Sequence, residues 1–286
     1  MLGNQKVKDL LRGDCDIYAW HSQRAWIEVN GSALSNNVKQ LHKLLSPQTK
    51  LMAVVKADAY GHGANFVASV ALEAGASWLG VATVPEGIQL RESGIVDSPI
   101  LILGATHTSE QIRAIIEWNL QPTICTSQQA LIFSTTLEIL GISLPIPVHI
   151  KLDTGMSRLG AKWEEAAEFV QLVKSLPKLK VASIYSHLAT SDSQDTIIMK
   201  QQQARFEAAI TQLRIFGITS PCSHLANSAA MMGDSSLHYD MVRVGLAIYG
   251  LYPAPHLRNT VSLLPVMQLK ARVTQVKTIT ASTGVS

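Results

Sequence analysis

The sequence is poor in cysteine, in charge and in uninterrupted apolar runs, and each shortage argues against a class of protein. Its three cysteines, Cys15, Cys125 and Cys222, have no paired spacing, which favours a reducing compartment over a disulfide framework or a zinc site. Charged residues make up 16% of the chain, the net charge is +3, and the absence of a basic run argues against a nucleic-acid partner. No apolar stretch reaches about 18 residues, so we expect no membrane span and a cytoplasmic protein.

What the sequence does contain is a repeated alternation of strand and helix patterns. Hydrophobic residues make up 47% of its 286 residues, enough for a large buried interior. Eight strands over about 200 residues favour a closed (β/α)₈ TIM barrel. An open doubly wound sheet would show a glycine-rich phosphate turn after its first strand. The predicted strands are 51–55, 78–82, 100–103, 122–125, 148–152, 181–186, 223–226 and 241–245.

The alternation breaks after Tyr249, and a different pattern begins. Residues 268–274 alternate polar and apolar, which is typical of the first strand of an all-β domain. Because a lone strand has nothing to pair with, we expect that another chain covers it or that the sequence is a fragment. The predicted domains are an N-terminal extension (1–22), a barrel (23–262) and the start of an incomplete β-rich domain (263–286).

One stretch at the first barrel strand concentrates candidate chemistry. Five apolar residues, 51–55, suit a strand buried on both faces and lead directly into Lys56. A cation there is costly unless it is paired, but a partly desolvated lysine can also form a Schiff base with an aldehyde. Tyr60 and the glycines Gly61 and Gly63 offer a hydroxyl and close backbone approach to a phosphate. The simpler interpretation is that Lys56 extends its ammonium group to solvent.

The segment AVVKADAYGHG, residues 53–63, resembles the pyridoxal-phosphate lysine motif of the alanine racemases. Four further segments resemble the same family in its order and spacing, namely KLDTGMSRLG, SHLATSD, HLANSAAM and VRVGLAIYGLYP. The resemblance runs from about Ala25 to the last residue. It implies an isomerase that interconverts L-alanine and D-alanine, forms a homodimer, and supplies D-alanine for the peptidoglycan of the cell wall.

The resemblance also implies which residues hold the cofactor. Lys56 would carry pyridoxal 5'-phosphate as an internal aldimine and act as the base on one face of the substrate. Tyr60 would bind the phosphate together with Ser228 and the backbone of Gly245 and Leu246. The remaining implied cofactor contacts are His187, stacked against the ring, Asn227 and Arg243.

Arg158, His187 and Arg243 are the further catalytic candidates that the resemblance implies. Arg158 would bind the phenolic oxygen of the cofactor and the substrate carboxylate, since its planar guanidinium can donate two parallel hydrogen bonds to a carboxylate. Arg243 would face the pyridine nitrogen. Since arginine only donates, that nitrogen must stay unprotonated, which weakens the electron sink and suits simple proton transfer. Lys151 is often carbamylated in the family, which would let it orient Arg158.

The second acid–base group of the family is a tyrosine of the β-domain, contributed across the dimer. By alignment it would fall just beyond Ser286. We therefore expect these 286 residues to hold half of the acid–base pair and to be inactive alone.

Three other functions remain open at this stage. The chain could be a cofactor-holding barrel without catalysis, or a decarboxylase or aldolase of the same fold. It could also be a metal-dependent hydrolase using His187, His224, Asp153 and carbamylated Lys151. Such enzymes would have a His-x-His pair at the first strand, where this chain has Lys56. We therefore predict no metal.

Several candidates also have purely structural interpretations. Lys151 and Asp153 could form an ion pair, Arg243 could neutralise Asp240, and Ser228 could cap a helix.

Overall fold

The computed structural model describes residues 24–219 and 222–285, so the predicted extension 1–22 lies outside the described residues. The chain divides into two compact units. One consists of the described residues up to Asn30 together with those from Met267 onward, and the other is Gly31–Val266.

The smaller unit is an antiparallel strand pair. Strand β1 (Ala25–Val29) pairs with the last strand, Met267–Ala271, in a register that places Ala25 opposite Ala271. Lys270 and Glu28 form an ion pair across it, with Nζ and Oε2 2.6 Å apart. The sequence analysis left the segment 268–274 without a partner in its own chain, and this was wrong. The partner lies more than 200 residues earlier, a separation that local alternation cannot reveal.

The larger unit contains a parallel β-barrel. Its strands, numbered in chain order, are β2 (Lys50–Val54), β3 (Trp78–Val81), β4 (Ile100–Ala105), β5 (Gln121–Ile124), β6 (Ile146–Asp153), β8 (Leu179–Tyr185), β9 (Ser223–His224) and β10 (Met241–Val244). A two-residue strand β7 (Ala161–Lys162) pairs with β6 alone, and Met267–Ala271 is β11.

The strand order β10-β2-β3-β4-β5-β6-β8-β9 is that of a barrel opened between β9 and β10. Two backbone hydrogen bonds bridge this gap, from Asp240 N to Ser223 O and from Arg243 N to Ala226 O, each 3.0 Å long. The predicted (β/α)₈ fold is confirmed, and each of the eight predicted strand positions falls on a strand.

The helices that follow the strands cover the outside of the barrel. They are α1 (Gly31–His42), α2 (Ala64–Glu73), α3 (Val84–Glu92), α4 (Ser109–Glu117), α5 (Ser127–Ile139), α6 (Ala166–Ser175), α7 (Ile197–Ile215) and α8 (Ser228–Gly233). Short 3₁₀ turns lie at Trp163–Glu165, Ser235–Leu237, Leu246–Tyr249 and Pro255–Asn259. Among the described residues, no helix is both long and apolar enough to cross a membrane.

The core lies inside the barrel and between its strands and helices. In β2, Leu51, Met52 and Ala53 are fully buried, as a strand covered on both faces requires. The barrel interior also holds buried polar side chains such as His149 and Ser183, and the carboxyl ends of the strands carry the candidate site.

Candidate functional site

The nine residues predicted to hold the cofactor or to act in catalysis, together with the possible carbamate site Lys151, line one cavity at the carboxyl ends of the strands. The cavity has a volume of about 470 Å³, within the range of small-molecule sites. The ten residues are Lys56, Tyr60, Lys151, Arg158, His187, Asn227, Ser228, Arg243, Gly245 and Leu246. They come from five different strands and the loops that follow them, so only the closed barrel brings them together.

Lys56 begins a short left-handed turn directly after β2. The four residues Ala57 to Tyr60 have φ between 49° and 55°, a conformation that costs roughly 1–2 kcal/mol per residue for L-amino acids. The turn is held by bonds from Ala59 N to Val55 O (2.9 Å) and from Ala64 N to the Asp58 carboxylate (2.7 Å). It brings Lys56 Nζ to 6.0 Å from the centre of the Tyr60 ring. This turn could not be predicted from the sequence, because none of the four residues is glycine.

A small concave surface lies between Tyr60, Ser228 and Gly245. A Cβ atom at Gly245 would approach Tyr60 Oη to 2.9 Å, so only glycine leaves this space open. Ser228 Oγ accepts hydrogen bonds from Gly245 N (3.0 Å) and Ala247 N (3.4 Å). Burial raises the pKa of Tyr60, which keeps its hydroxyl protonated and able to donate. This surface has the size and the donors that a phosphate needs.

Asn227, rather than Ser228, is the N-cap of α8. Its side-chain oxygen accepts from Ala230 N at 3.1 Å and also from Ser191 Oγ at 2.9 Å. The interpretation of Ser228 as a simple cap is therefore wrong, since its hydroxyl points to the loop after β10.

Arg243 lies on β10 and is only 4% exposed. Its Nη2 donates to Ser186 O (2.7 Å) and Leu225 O (3.1 Å). Burial lowers its pKa to about 10, so the guanidinium keeps its charge at neutral pH. Asp240, its suggested structural partner, instead accepts from Ser223 N at 2.6 Å, so that interpretation is wrong.

The same guanidinium donates to two histidines. Its Nη2 reaches His187 Nδ1 at 3.1 Å and its Nη1 reaches His224 Nδ1 at 3.0 Å. Since arginine has no acceptor, both Nδ1 atoms must be unprotonated. The nitrogens that a metal site would use therefore face a cation. Among the described residues, no group of three or more His, Cys, Asp and Glu side chains is placed to hold a metal.

A chain of hydrogen bonds continues from His224 through the barrel interior. His224 Nε2 lies 2.9 Å from Ser183 Oγ, which lies 2.6 Å from His149 Nδ1. His149 Nε2 is 2.6 Å from the Gln121 carbonyl oxygen. The guanidinium of Arg243, at one end of this series of hydrogen bonds, only donates, and the amide oxygen of Gln121, at the other end, only accepts. Each imidazole and hydroxyl between them therefore donates in one direction, and each proton has one position. The sequence does not indicate this series of hydrogen bonds, because its members lie on five separate strands.

Lys151, on β6, is a second buried cation. Burial is the main reason that its pKa falls to about 8, and nearby Arg243 and Arg158 lower it further. Its Nζ lies 5.6 Å from the centre of the Tyr185 ring. The suggested ion pair with Asp153 is absent from the described ion pairs. Asp153 instead accepts from the backbone of the loop that carries Arg158.

The cavity is electrically positive. His187 shows this, because its pKa is lowered to about 3 by burial and then by Arg243, Lys151, Arg158 and Lys56. In the part of the chain that the structure describes, four basic residues line the cavity, namely Lys56, Lys151, Arg158 and Arg243, whereas Asp192 is the one acidic residue in its lining. Such a site favours a ligand with several negative charges, such as a phosphate and a carboxylate together.

Comparison with known proteins gives one consistent family. The family model described as alanine racemase, N-terminal domain, matches residues 29–253. The chain is 68% identical to an alanine racemase of Nostoc sp. over 95% of this chain and 70% of that protein. It is 56% identical to an alanine racemase of Synechocystis sp. over 92% of this chain and 70% of that protein.

Solved structures agree with the sequence relatives. The alanine racemase of Clostridium difficile 630 in complex with cycloserine superposes with a TM-score of 0.84 at 31% identity, covering 90% of this chain and 70% of that one. The alanine racemase of Bacillus anthracis with bound L-Ala-P superposes with a TM-score of 0.81 at 31% identity, covering 92% and 68%.

The buried histidines predict how stability depends on pH. Burial lowers the pKa of His149 to about 3, against about 6.5 in an unfolded chain. Between these values the unfolded state binds more protons, so the free energy of unfolding falls as the pH falls from about 6.5 towards 3. We expect His149→Gln to reduce this slope by up to about 1.4 kcal/mol per pH unit.

Urea unfolding of both proteins at several pH values measures the two slopes. His42→Gln is the control, since His42 is exposed and its loss should leave the slope unchanged. Equal slopes for the wild type and His149→Gln would show that His149 does not stay neutral in the fold.

Proposed function

Because the chain belongs to the alanine racemase family, we propose that it interconverts L-alanine and D-alanine with pyridoxal 5'-phosphate held at Lys56. One observation carries the proposal: a single positive cavity gathers all ten residues that the family resemblance implies. The named relatives are alanine racemases at 68% and 56% identity, and none of the other three functions has comparable support.

The residues of the cavity fit this cofactor. Tyr60, Ser228 and the backbone of Gly245 and Leu246 surround the concave surface that only glycine leaves open, and we assign the phosphate to it. Lys56 lies across the same cavity, at the tip of β2, where its amine can bind the aldehyde covalently. When bound, the cofactor withdraws electrons from the amino acid and makes its α-proton acidic.

Lys56 then moves the proton on one face of the substrate. A primary amine at the strand tip can take the α-proton and return it. Arg158, exposed on the loop after β6, binds the substrate carboxylate with its planar fork and so presents the α-carbon to Lys56. Burial, and then its charged neighbours, lowers the pKa of His187 and keeps it neutral, so it can lie against the cofactor ring without adding charge.

Arg243 limits the reaction to proton transfer. Its N–H groups can only donate hydrogen bonds, so a pyridine nitrogen beside them must accept and therefore stays unprotonated. An uncharged pyridine is the weaker electron sink, which leaves less negative charge where protonation would cause transamination. The structure supplies the required rigidity, because four acceptors on three neighbouring loops and strands hold the guanidinium.

Inversion also requires an acid on the opposite face. Two tyrosines line the cavity, and both are engaged. Tyr185 is fully buried, its hydroxyl lies 2.7 Å from Thr123 Oγ1, and burial raises its pKa. Tyr60 belongs to the proposed phosphate surface. We therefore assign the opposite-face role to no residue in 24–219 or 222–285.

The attachment at Lys56 is tested by borohydride reduction. We expect the protein incubated with pyridoxal 5'-phosphate to absorb visible light. Reduction should then fix the label on the peptide that contains Lys56, located by mass spectrometry. Lys56→Arg should abolish the label, whereas Lys50→Arg, at an exposed position, should retain it. A label on another lysine, or none on a folded protein, would refute the assignment.

Lys151 is the proposed site of a carbamate. Since its pKa is about 8, an appreciable fraction of the amine is neutral at physiological pH and can react with carbon dioxide. The carbamate would accept hydrogen bonds and so could orient Arg158. We expect ¹³C NMR after incubation with labelled bicarbonate to show one carbamate signal, absent from Lys151→Arg. If the signal persists in that variant, another amine carries the carbamate.

A further inference from the structure

Three consecutive helices of the barrel begin with the same four-residue pattern. Helices α3, α4 and α5 each follow a threonine N-cap, and three residues later comes Glu86, Gln111 or Gln129. In each case a side-chain oxygen of that residue accepts from the backbone N–H just before the threonine. The three bonds are Ala82 N to Glu86 (2.6 Å), His107 N to Gln111 (2.9 Å) and Cys125 N to Gln129 (2.8 Å). One acceptor oxygen is enough for this contact, and glutamine provides it.

In Glu86 and Gln129 the second polar atom of this side chain contacts the preceding loop of the barrel. Gln129 uses its Nε2 to donate to Thr106 O at 2.9 Å. Glu86 uses its other oxygen, Oε1, to accept from Ala57 N at 3.0 Å. Thr106, in the loop before α4, presents a carbonyl, which needs a donor, and Ala57, in the turn before α2, presents an N–H, which needs an acceptor. Both contacts of residue 86 need an acceptor oxygen. Glutamate has two such oxygens, whereas glutamine has one and cannot accept both hydrogen bonds.

Ala57 is the residue directly after Lys56 and the first of the left-handed turn. The plane of the Lys56–Ala57 peptide is set by ψ of Lys56 and φ of Ala57, so a bond to the Ala57 N–H restrains ψ of Lys56 and with it the direction in which its side chain leaves the backbone. Four consecutive left-handed residues persist only where neighbouring groups hold them. Asp58 closes the far end of the turn through Ala64 N, and Glu86 holds its entrance.

We propose that Glu86 is a positioning residue for Lys56, acting through the Ala57 N–H. It couples the N-terminus of α3 to the left-handed turn and keeps the amine of Lys56 directed into the cavity. The proposal rests on the proposed function, because the direction of Lys56 matters for the cofactor that this lysine is assigned to carry.

The test compares Glu86→Gln with two controls on the cofactor-free protein. Glu86→Gln keeps the size of the side chain and one acceptor oxygen, but it sets an amide N–H₂ against a backbone N–H. Hydrogen exchange of the peptide covering residues 56–63 should become about ten- to a hundredfold faster, the range expected for a lost bond to a charged acceptor. Thr83→Ala weakens the α3 cap alone, and Gln111→Glu makes the reciprocal change on α4; both should leave this exchange unchanged.

The loaded protein gives a second, independent readout. For Glu86→Gln we expect the covalent attachment of pyridoxal 5'-phosphate, followed by absorbance, to slow about tenfold. The maximal rate at which the α-proton of alanine exchanges with solvent deuterium should fall, with little change in the alanine concentration that gives half of that rate, because a misdirected amine affects proton transfer more than binding. Glu86→Asp keeps the charge but shortens its reach. We expect Glu86→Asp to show the same faster hydrogen exchange and slower cofactor attachment. It replaces Glu86→Gln in the test if that variant does not fold.

The outcomes separate this proposal from the proposed function. If Glu86→Gln and Glu86→Asp exchange and attach cofactor like the wild type, the proposal is overturned. It is equally overturned if Thr83→Ala shows the same defects, since the effect would then come from the helix cap. If the wild type itself attaches no cofactor at Lys56, the proposed function fails. The exchange comparison still decides whether Glu86 holds the turn.

Discussion

The site depends on a buried arginine that can only donate. Arg243 lies inside the barrel at 4% exposure, and the groups around it are two backbone carbonyls and two imidazole nitrogens. A buried cation is tolerable only when its donors are satisfied. These four contacts use Nη1 and Nη2 and include no anion, so the positive charge has no counter-ion among them. Burial first, and then that charge, lowers the pKa of His187 and of His224 and keeps both neutral. The charge also leaves the cavity positive towards a phosphate and a carboxylate.

A second constraint is backbone strain next to Lys56. The turn from Ala57 to Tyr60 places four non-glycine residues in the left-handed region, and this costs free energy that regular packing elsewhere must offset. In exchange, the chain reverses within one turn, so that Lys56 and Tyr60 reach the same cavity from the end of one strand. The strain and the buried charge are both concentrated at the carboxyl ends of the strands, where barrel enzymes place their chemistry.

Much of this was predictable from the sequence because its signals are local. Eight strands, the capping box of Thr108 and Gln111, and the motif around Lys56 all have short-range patterns. The pairing of β1 with β11, the relay from Arg243 to Gln121 and the contact of Glu86 with Ala57 join residues from separate elements. Periodicity gives no information about such contacts. The left-handed turn from Ala57 to Tyr60 could not be predicted either, because glycine, the residue typical of that conformation, occupies none of its four positions.

We propose above that Arg243 keeps the pyridine nitrogen of the cofactor unprotonated. The direct measurement is ¹⁵N NMR of the protein loaded with pyridoxal 5'-phosphate labelled at that nitrogen, compared with the Arg243→Glu variant. We expect the shift of an unprotonated nitrogen accepting a hydrogen bond in the wild type, and a move towards the protonated value in the variant. A protonated nitrogen in the wild type, or the same shift in both proteins, would contradict the account.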